Sequence, residues 1–381
     1  MFAVMSPMSP ARDAVPATSH AGVACLHEPR LALLGSGTVG QAFVARYQCL
    51  RDAGFALPPI RLLANSRGTR DIDDDPSRAL ASVDALPHRE QVVIPDLGAL
   101  SGGDFVVDAT ASDDVAARHG EWLARGLHVV TANKLGGGGE LRRAQAIAAA
   151  AHASGARYGD SATVGAGLPL LRSVRELVAG GDRIHAIEGV LSGSLAWLFD
   201  RFDGMRPFSG FVREARAAGY TEPDPRIDLG GEDVRRKLLL LARAAGAPLE
   251  SGRVAVESLM PRALAEAGES DIDARLPLLD APLRRRYQQA YRDGAGLRFI
   301  GRFEVDARGA WHASVGLRAL PASHPLRGGR GTDNRVAIHS CRYRHQPLLI
   351  QGPGAGAGVT AAALIDDVLQ IARNTWPPGW S

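Results

Sequence analysis

Residues Leu31–Gly40, which read Leu-Ala-Leu-Leu-Gly-Ser-Gly-Thr-Val-Gly, decide the fold of this chain. Leu31–Leu34 is a short apolar run that predicts a buried strand, and Gln41–Leu50 has a helical pattern. A Gly-x-Gly-x-x-Gly motif between a strand and a helix predicts a dinucleotide site, because small residues let the backbone approach a pyrophosphate at the helix N-terminus. The alternative is a glycine-rich turn in a nucleotide-free α/β domain. The predicted cofactor contacts of the motif are Gly35, Gly37, Thr38, Val39 and Gly40.

The second predicted strand, Ile60–Ala64, bears on which dinucleotide is bound. It ends at Asn65-Ser66-Arg67, where an NAD-binding chain would carry a carboxylate for the ribose hydroxyls. No carboxylate stands at this strand end, whereas the guanidinium of Arg67 suits a 2′-phosphate. The sequence therefore favours NADP as the cofactor, with NAD as the alternative.

Two further apolar segments, Asp104–Asp108 and Leu127–Thr131, predict parallel strands of the same sheet. Thr110 follows the first of them and Lys134 follows the second. Because strand ends on this side of an open sheet face the ligand crevice, we expect both side chains at the cofactor. With helices predicted at Asp113–Arg125 and Glu140–Ser154, residues 30–155 are expected to form a Rossmann-type nucleotide-binding domain.

The second half of the chain predicts a different architecture. Leu297–Val305 and Trp311–Leu320 alternate as an antiparallel pair does, and Ile184–Leu191 is a further strand, so residues 156–345 are expected to form an α+β substrate domain. Within residues 346–381 a glycine loop opens a terminal helix. We expect this segment to pack back on the nucleotide domain and to bring Gly356 to the cofactor, with a plain hinge as the alternative. The predicted fold class is therefore α/β, with two domains.

The chemistry of the second half is concentrated in Gly219–Lys237, which reads Gly-Tyr-Thr-Glu-Pro-Asp-Pro-Arg-Ile-Asp-Leu-Gly-Gly-Glu-Asp-Val-Arg-Arg-Lys. Pro223 and Pro225 each remove a backbone donor and push the residue before them out of the helical region, so this part is predicted to be an irregular loop. The loop is expected to present three carboxylates, those of Glu222, Asp224 and Asp228.

A helix is predicted to follow this loop, and it carries one of the chain's rare lysines. Asp233 and Lys237 are four residues apart and share a face of the helix. Of the 44 Lys and Arg residues, only Lys134 and Lys237 are lysines. Arginine keeps its proton at any working pH, whereas a lysine in a closed site can release one, so both lysines are candidates for chemistry. The alternative for Asp233 and Lys237 is an ordinary surface ion pair, worth about 0.3–0.5 kcal/mol.

The composition excludes several other functions. With 381 residues and 45% hydrophobic content, the chain is long enough for two domains with a sizeable core. A net charge of +3 with scattered arginines predicts no nucleic-acid partner and no membrane-binding patch. The 3 cysteines lack Cys-x-x-Cys spacing, which favours neither disulfides nor zinc and fits a reducing cytoplasm. Residues 1–29 lack the apolar core of a signal peptide and are predicted to be a disordered leader, with an over-long start of the sequence as the alternative.

With these segments in place, the chain resembles homoserine dehydrogenases over about Leu31–Leu369. The likeness is greatest to the dehydrogenase portion of bifunctional aspartokinase–homoserine dehydrogenases, and we expect no kinase portion, because only residues 1–30 precede the first strand. The run Gly219–Pro225 is the most specific of the shared motifs. The others are the Gly35 motif, Thr131–Lys134, Val164–Pro169, Leu191–Ser194, Thr332–Asn334 and Gly354–Thr360.

The resemblance implies NAD(P)H-dependent reduction of L-aspartate 4-semialdehyde to L-homoserine, on the route to threonine and methionine. By motif, Lys237 corresponds to the family's proton donor to the carbonyl oxygen, with Asp233 beside it. Glu222, Asp228 and Asp233 correspond to carboxylates that bind the substrate, and Lys134 to a lysine that contacts cofactor and substrate. The resemblance also implies a homodimer formed through the sheet of the second domain, which would make residues 156–345 a substrate and dimerisation domain.

The family can also hold a monovalent cation such as sodium on backbone carbonyls, which in this chain would be those of Val164, Ala166 and Leu168. In relatives an acidic side chain three residues before the valine completes the site. This chain has Ser161 at that position and Asp160 one residue earlier, so the carbonyls lack their usual charged partner.

Two other functions are open. An aspartate-semialdehyde dehydrogenase would need a cysteine nucleophile, and no cysteine of this chain stands at a strand end or helix start beside a matching histidine. A catalytically silent dinucleotide-binding sensor would keep the fold. Such a protein would have no reason to retain its two lysines beside the acidic loop.

Overall fold

The computed structural model describes residues 28–72, 75–87 and 96–375, and nearly all of the predicted leader at 1–29 lies outside them. The strands are β1 (Leu31–Leu34), β2 (Ile60–Asn65), β3 (Gly68–Asp71), β4 (Phe105–Asp108), β5 (His128–Thr131), β6 (Tyr158–Gly159), β7 (Ile184–Val190), β8 (Val254–Val256), β9 (Ala295–Val305), β10 (Trp311–Pro321), β11 (Asp333–Ser340) and β12 (Leu348–Pro353). The helices are α1 (Thr38–Asp52), α2 (Pro76–Asp84), α3 (Asp113–Ala117), α4 (His119–Ala124), α5 (Leu135–Gly138), α6 (Leu141–Ser154), α7 (Leu170–Ala179), α8 (Gly193–Arg201), α9 (Phe208–Ala217), α10 (Arg226–Leu229), α11 (Glu232–Ala244), α12 (Arg262–Ala265), α13 (Ile272–Arg275), α14 (Asp280–Arg292) and α15 (Ala357–Thr375).

The first sheet has the strand order β3-β2-β1-β4-β5-β6. Its strands pair in parallel except β3, which runs antiparallel to β2. The chain moves outward from β1 in one direction to β2 and in the other to β4, so the order reverses at β1 and β4. Ligands bind outside the carboxyl ends of strands at such a switch point. The four strands predicted from the sequence are all present in this sheet, and the predicted nucleotide-binding architecture is confirmed.

Both faces of the first sheet are covered, which explains why β1, β4 and β5 are buried along their whole length. Leu31 and Leu33 of β1 lie in one hydrophobic core, whereas Ala32 and Leu34 lie in the core on the opposite face. All four residues of β4 and of β5 are buried. A parallel sheet with helices on both faces excludes water from every position of a strand, so alternation of polar and apolar residues is absent.

Helix α15 packs on the first sheet, although it lies near the C-terminal end of the described residues. Leu364, Ile365 and Val368 are fully buried and lie in the same hydrophobic core as Leu31 and Phe43. The terminal helix therefore packs on the nucleotide-binding part of the molecule.

The second sheet has the order β12-β11-β7-β9-β10-β8 and is antiparallel except for the pair of β8 and β10. The predicted antiparallel pair is present as β9 and β10, with Leu297 opposite Ala319. One face of this sheet carries the largest core of the described chain, to which α11 contributes Val234 and Leu238. Two sheets of different construction thus confirm the predicted α/β class with an α+β second part.

Three local predictions differ from the structure. The helix predicted over Asp113–Arg125 is divided at Arg118, whose N–H donates to the carbonyl of Val115 only three residues back and tightens the turn there. Strand β3 was not predicted, because Gly68–Asp71 has no apolar run. The loop after Pro225 contains the short helix α10, since proline is tolerated immediately before a helix.

Within residues 28–72, 75–87 and 96–375, none of the helices has the length and apolarity to cross a bilayer.

Candidate active site

The glycine loop between β1 and α1 is fixed by packing at two glycines and open at the third. Gly35 has φ +102°, and a Cβ placed on Gly40 would stand 1.9 Å from the Gly35 carbonyl oxygen. At Gly37, by contrast, nothing lies within 4 Å of the place where a Cβ would stand. Gly37 precedes the first turn of α1, formed by Thr38 and Val39, and gives that helix no side-chain cap. Helix N–H groups that lack a cap attract phosphate, so the loop fits the pyrophosphate of a dinucleotide.

A cavity of about 430 Å³ opens at this loop, within the size range of small-molecule sites. The glycine loop, the end of β2 with Arg67, and the segment after β4 with Thr110 form its walls. Four of the predicted cofactor contacts line this cavity, namely Gly35, Gly37, Arg67 and Thr110. A fifth, Gly40, packs against the carbonyl of Gly35 behind the cavity wall. Lys134 and Gly356 do not line this cavity.

A buried network behind the cavity positions Thr110. Both the N–H and the hydroxyl of Thr110 donate to Oδ1 of Asp108, at 2.8 and 2.7 Å. The other carboxylate oxygen lies 2.9 Å from Nε2 of His119, whose Nδ1 lies 3.1 Å from the hydroxyl of Tyr158. Asp108 and His119 are both fully buried. The network connects the end of β4 with α4 and β6, and sequence reasoning did not find it because its members are far apart in the chain.

The two lysines of the chain meet at one carboxylate. Lys237 Nζ lies 2.8 Å from Oδ2 of Asp233, and Lys134 Nζ lies 3.4 Å from Oδ1 of the same residue. Lys134 follows β5 of the first sheet, whereas Asp233 and Lys237 are on α11, which packs on the second. The two ammonium groups therefore lie between the two sheets. A substrate bound there would face a cofactor bound to the first sheet.

Lys237 is not part of a surface ion pair. The residue is only 7% exposed, and its ammonium also donates to the carbonyl of Leu191 at 2.7 Å. Burial disfavours the charged form of the Asp233 carboxyl, but the ammonium groups of Lys237 and Lys134 outweigh this effect and lower its pKa to about 2. Asp233 therefore stays ionised at any working pH and holds both ammonium groups in place.

The acidic loop uses two of its three carboxylates to hold its own shape. Asp228 accepts hydrogen bonds from the Ser194 hydroxyl at 2.6 Å and from the N–H of Glu222 at 2.9 Å, while burial raises the pKa of its carboxyl. Asp224 forms an ion pair with Arg226 at 2.7 Å. The side chain of Glu222 is exposed beside this frame. Asp228 thus fixes the backbone that carries Glu222, while Asp224 is neutralised.

Among the described residues, the segment predicted to hold a cation has no unpaired carboxylate beside it. The carbonyl of Leu168 already accepts a hydrogen bond from the N–H of Leu170. Asp160, the nearest acid in the sequence, is buried and forms two hydrogen bonds with Arg175 at 2.5 and 2.8 Å. Ser161 donates to Asp367, which Arg172 pairs at 3.2 Å. Both carboxylates near the segment are therefore neutralised by arginines, and a cation would find no free charge.

The loop that carries Gly356 lies beside this segment. Gly356 has φ +129° and precedes α15, and a Cβ on Gly167 would stand 3.3 Å from the carbonyl oxygen of Val359 in the first turn of that helix. The neighbouring Gly354 leaves room for Asn334, since a Cβ on that glycine would stand 1.9 Å from the Asn334 Oδ1.

Three polar residues near the site have no role predicted from the sequence. Asn334 is completely buried, and neither atom of its amide has a hydrogen-bond partner in the described part of the chain. The buried hydroxyl of Thr221, in the acidic loop, also lacks a partner there. Asp84 lines the cofactor cavity. The two unpaired groups are signals that only a structure provides, because buried polar atoms without partners are rare and point to a missing ligand or water.

Two family models match the chain. The model described as "Homoserine dehydrogenase, NAD binding domain" matches residues 35–159, and the model described as "Homoserine dehydrogenase" matches residues 169–369. The first covers the glycine loop and Lys134, and the second covers the acidic loop, Asp233 and Lys237.

Similar proteins agree with these models. A bifunctional aspartokinase/homoserine dehydrogenase 1 from Zea mays is 42% identical over 72% of this chain, but the match spans only 30% of the maize protein. A homoserine dehydrogenase from Emericella nidulans is 34% identical, with 90% of this chain and 97% of the fungal enzyme covered. A crystal structure of a Candida auris protein of unknown function has a TM-score of 0.79 at 31% identity and covers 91% of this chain and 99% of its own. The chain therefore belongs to the homoserine dehydrogenase family.

Proposed function

We propose that this protein is a homoserine dehydrogenase that reduces L-aspartate 4-semialdehyde to L-homoserine with NAD(P)H, in threonine and methionine biosynthesis. The observation that carries the proposal is that its two lysines converge on Asp233 between the sheet with the dinucleotide cavity and the acidic loop. The chain uses arginine at its other 42 basic positions, which supports a chemical role for the two lysines.

The reaction needs an acid where negative charge develops. A reduced nicotinamide, when bound, would supply the hydride to the aldehyde carbon, whose oxygen then needs a proton. Lys237 donates it, because its ammonium is buried and held at 2.8 Å from Asp233 and 2.7 Å from the Leu191 carbonyl. The second ammonium, on Lys134, adds positive charge beside the same oxygen. Preorganised cations of this kind stabilise an oxyanion more strongly than water does.

The charged ends of the amino-acid substrate need partners of their own. Glu222 and Asp233 suit its ammonium group, and Asp228 supports this function by holding the Glu222 backbone at 2.9 Å. Thr221 and Asn334 offer unpaired polar atoms in the same region for the rest of the ligand set. Gly35, Gly37, Thr38, Val39, Gly40, Thr110, Lys134 and Gly356 would hold the cofactor.

We infer NADP as the preferred cofactor, on the basis of the Arg67 guanidinium in the cavity wall, with NAD as the alternative. Sodium is not inferred as a required partner, because Arg175 and Arg172 already neutralise Asp160 and Asp367. The homodimer through the second sheet stays a prediction, to be tested by light scattering on the purified protein. A cytoplasmic compartment also stays a prediction.

The test is direct. Purified protein is mixed with L-homoserine and NADP or NAD at alkaline pH, where oxidation is favoured, and the absorbance of the reduced nicotinamide is followed. We expect absorbance to rise with homoserine and not with L-serine, whose shorter side chain places its hydroxyl away from Lys237. No rise with either dinucleotide would contradict the proposal and favour a silent sensor.

A further inference from the structure

The cofactor cavity contains a carboxylate that the end of β2 does not supply. Asp84, the last residue of α2, lines the cavity together with Ser36, Asn65 and Arg67. In dinucleotide-binding folds a carboxylate at this place accepts hydrogen bonds from the ribose hydroxyls and is normally found at the end of the second strand. Here the strand ends in Asn65-Ser66-Arg67, and the carboxylate comes from a residue much later in the chain.

The β2–β3 hairpin explains how Asp84 reaches the cavity. Asn65 pairs with Gly68 at the end of this antiparallel hairpin, so β3 carries the chain away from the ligand edge of the sheet. Helix α2 must then run back toward that edge, and its C-terminal residue arrives where the N-terminus of a crossover helix would ordinarily stand. A carboxylate at the end of α2 therefore occupies the place of the usual strand-end residue.

Hydrogen bonds orient the Asp84 side chain. Its Oδ1 accepts from the Asn65 amide at 3.1 Å and from the hydroxyl of Ser36, the second residue of the glycine loop. The backbone carbonyl of Asp84 accepts a hydrogen bond from the Arg67 guanidinium. One residue thus ties the glycine loop, the end of β2 and the predicted phosphate-binding arginine together.

We propose that Asp84 reads the adenosine ribose of the cofactor and sets the balance between NAD and NADP against Arg67. A carboxylate accepts hydrogen bonds from the two hydroxyls of NAD, whereas it repels the 2′-phosphate of NADP. Arg67 acts in the opposite sense, because a guanidinium pairs with phosphate. The inference rests on the proposed dehydrogenase function only in requiring that the cofactor is a nicotinamide dinucleotide.

The experiment compares the dissociation constants of NADH and NADPH, measured by calorimetry without substrate, for the wild type and three variants. Asp84→Asn keeps an oxygen that can accept from Asn65 but removes the charge. We expect it to shift the ratio of the two constants toward NADPH by about tenfold or more, the worth of one hydrogen bond to a charged group. Arg67→Gln is expected to shift the ratio toward NADH. Asp75→Asn, at the other end of α2, where Asp75 caps the helix, is expected to leave the ratio unchanged.

The outcomes separate the two claims. If Asp84→Asn weakens or strengthens both cofactors equally, Asp84 has a structural role only and the inference is wrong. The same holds if the Asp75→Asn control moves the ratio as far as Asp84→Asn does. If the wild type binds neither dinucleotide, the proposed dehydrogenase function fails together with the inference.

Discussion

A single carboxylate, that of Asp233, holds the two lysines of the candidate site. It lies 2.8 Å from Lys237 Nζ and 3.4 Å from Lys134 Nζ, and its pKa of about 2 keeps it ionised. Its side chain is 40% exposed, so a substrate ammonium can also reach it. We therefore propose two functions for this residue, to orient the proton donor and to attract the substrate.

Asp233→Asn tests the first of these functions. The amide keeps the shape of the side chain but removes the charge that both ammonium groups share, so Lys237 loses its orientation. We expect kcat to fall by about 10²-fold or more, the scale of a displaced general acid. Steady-state kinetics measures the change. Glu232→Gln is the matched control, because Glu232 is the preceding residue on α11 and pairs with Arg235 instead. Equal effects of the two substitutions would show that Asp233 has no special role.

At this scale the sequence predicted contacts within one helix and missed contacts across the fold. Asp233 and Lys237 were expected to share a face because they are four residues apart, and their side chains meet. The approach of Lys134 to the same carboxylate depends on how the two sheets pack. The pairing of Asp160 with Arg175 has no pattern in the sequence either, although it decides whether a cation fits.

Among the elements, the turn from β1 into α1 contains one glycine that packing requires and another that faces open space. Gly40 is required for packing, because a Cβ there would overlap the Gly35 carbonyl, whereas Gly37 faces open space. The two glycines of one motif therefore have different functions.

Gly37→Ala is expected to preserve the fold and weaken the cofactor. A methyl group at this position has no protein atom within 4 Å but would stand where the pyrophosphate approaches. We expect the dissociation constant for NADPH to rise by about tenfold or more, with the midpoint of denaturant unfolding unchanged. Gly120→Ala is the control, since Gly120 also has open space around it but lies on α4. Unchanged NADPH binding in Gly37→Ala would show that the glycine loop does not contact the cofactor.

The buried Asp108–His119 pair is expected to stabilise the edge of the first sheet that faces the ligand. His119→Phe keeps much of the ring volume but leaves the Asp108 carboxylate without its 2.9 Å partner. A buried polar group that loses its hydrogen-bond partner costs about 1–3 kcal/mol, so the free energy of unfolding in urea should fall by that amount.

His312→Gln provides the comparison. His312 lies 3.0 Å from Asp306, at nearly the same distance, but its side chain is 61% exposed. We expect this substitution to change stability little, because water replaces the lost partner. If the two substitutions cost the same free energy, burial is not what gives the Asp108–His119 pair its effect.

The elements themselves were predicted well where apolar runs are long and poorly where a hairpin redirects the chain. β1, β2, β4 and β5 follow from continuous apolar segments. Strand β3 is polar, and its hairpin with β2 reverses the direction in which α2 runs. That reversal brings Asp84 to the cavity, although the residue is far from the end of β2 in the sequence.

In the molecule as a whole, the C-terminal helix completes the core of the first sheet and joins distant segments of the chain. Helix α15 covers one face of the first sheet, and its Asp367 accepts hydrogen bonds from Ser161 and pairs with Arg172. Segments about half the chain apart are thereby joined beside the carbonyls of Val164 and Ala166. The two-sheet architecture followed from the order of the predicted elements. The contacts of Asp367 with Ser161 and Arg172 depend on tertiary packing alone and have no pattern in the sequence.

Because arginines pair with the carboxylates beside these carbonyls, we expect catalysis that does not depend on a monovalent cation. Arg175 and Arg172 supply the positive charge that a cation would otherwise bring to Asp160 and Asp367. We expect the same kcat/KM in sodium, potassium and tetramethylammonium chloride at equal ionic strength. Saturable activation by sodium or potassium, absent with tetramethylammonium, would show that the backbone carbonyls hold a cation in spite of the arginines.

Lys237→Arg tests whether Lys237 donates the proton. The substitution keeps the positive charge but replaces an acid that can release its proton with one that does not. Turnover of homoserine and the dissociation constant of NADPH are measured on the same sample, with Arg235→Lys on α11 as the control. We predict that kcat falls by about 10²–10⁴-fold while NADPH binding is unchanged. A variant that binds NADPH normally and turns over at the wild-type rate would show that Lys237 is not the proton donor.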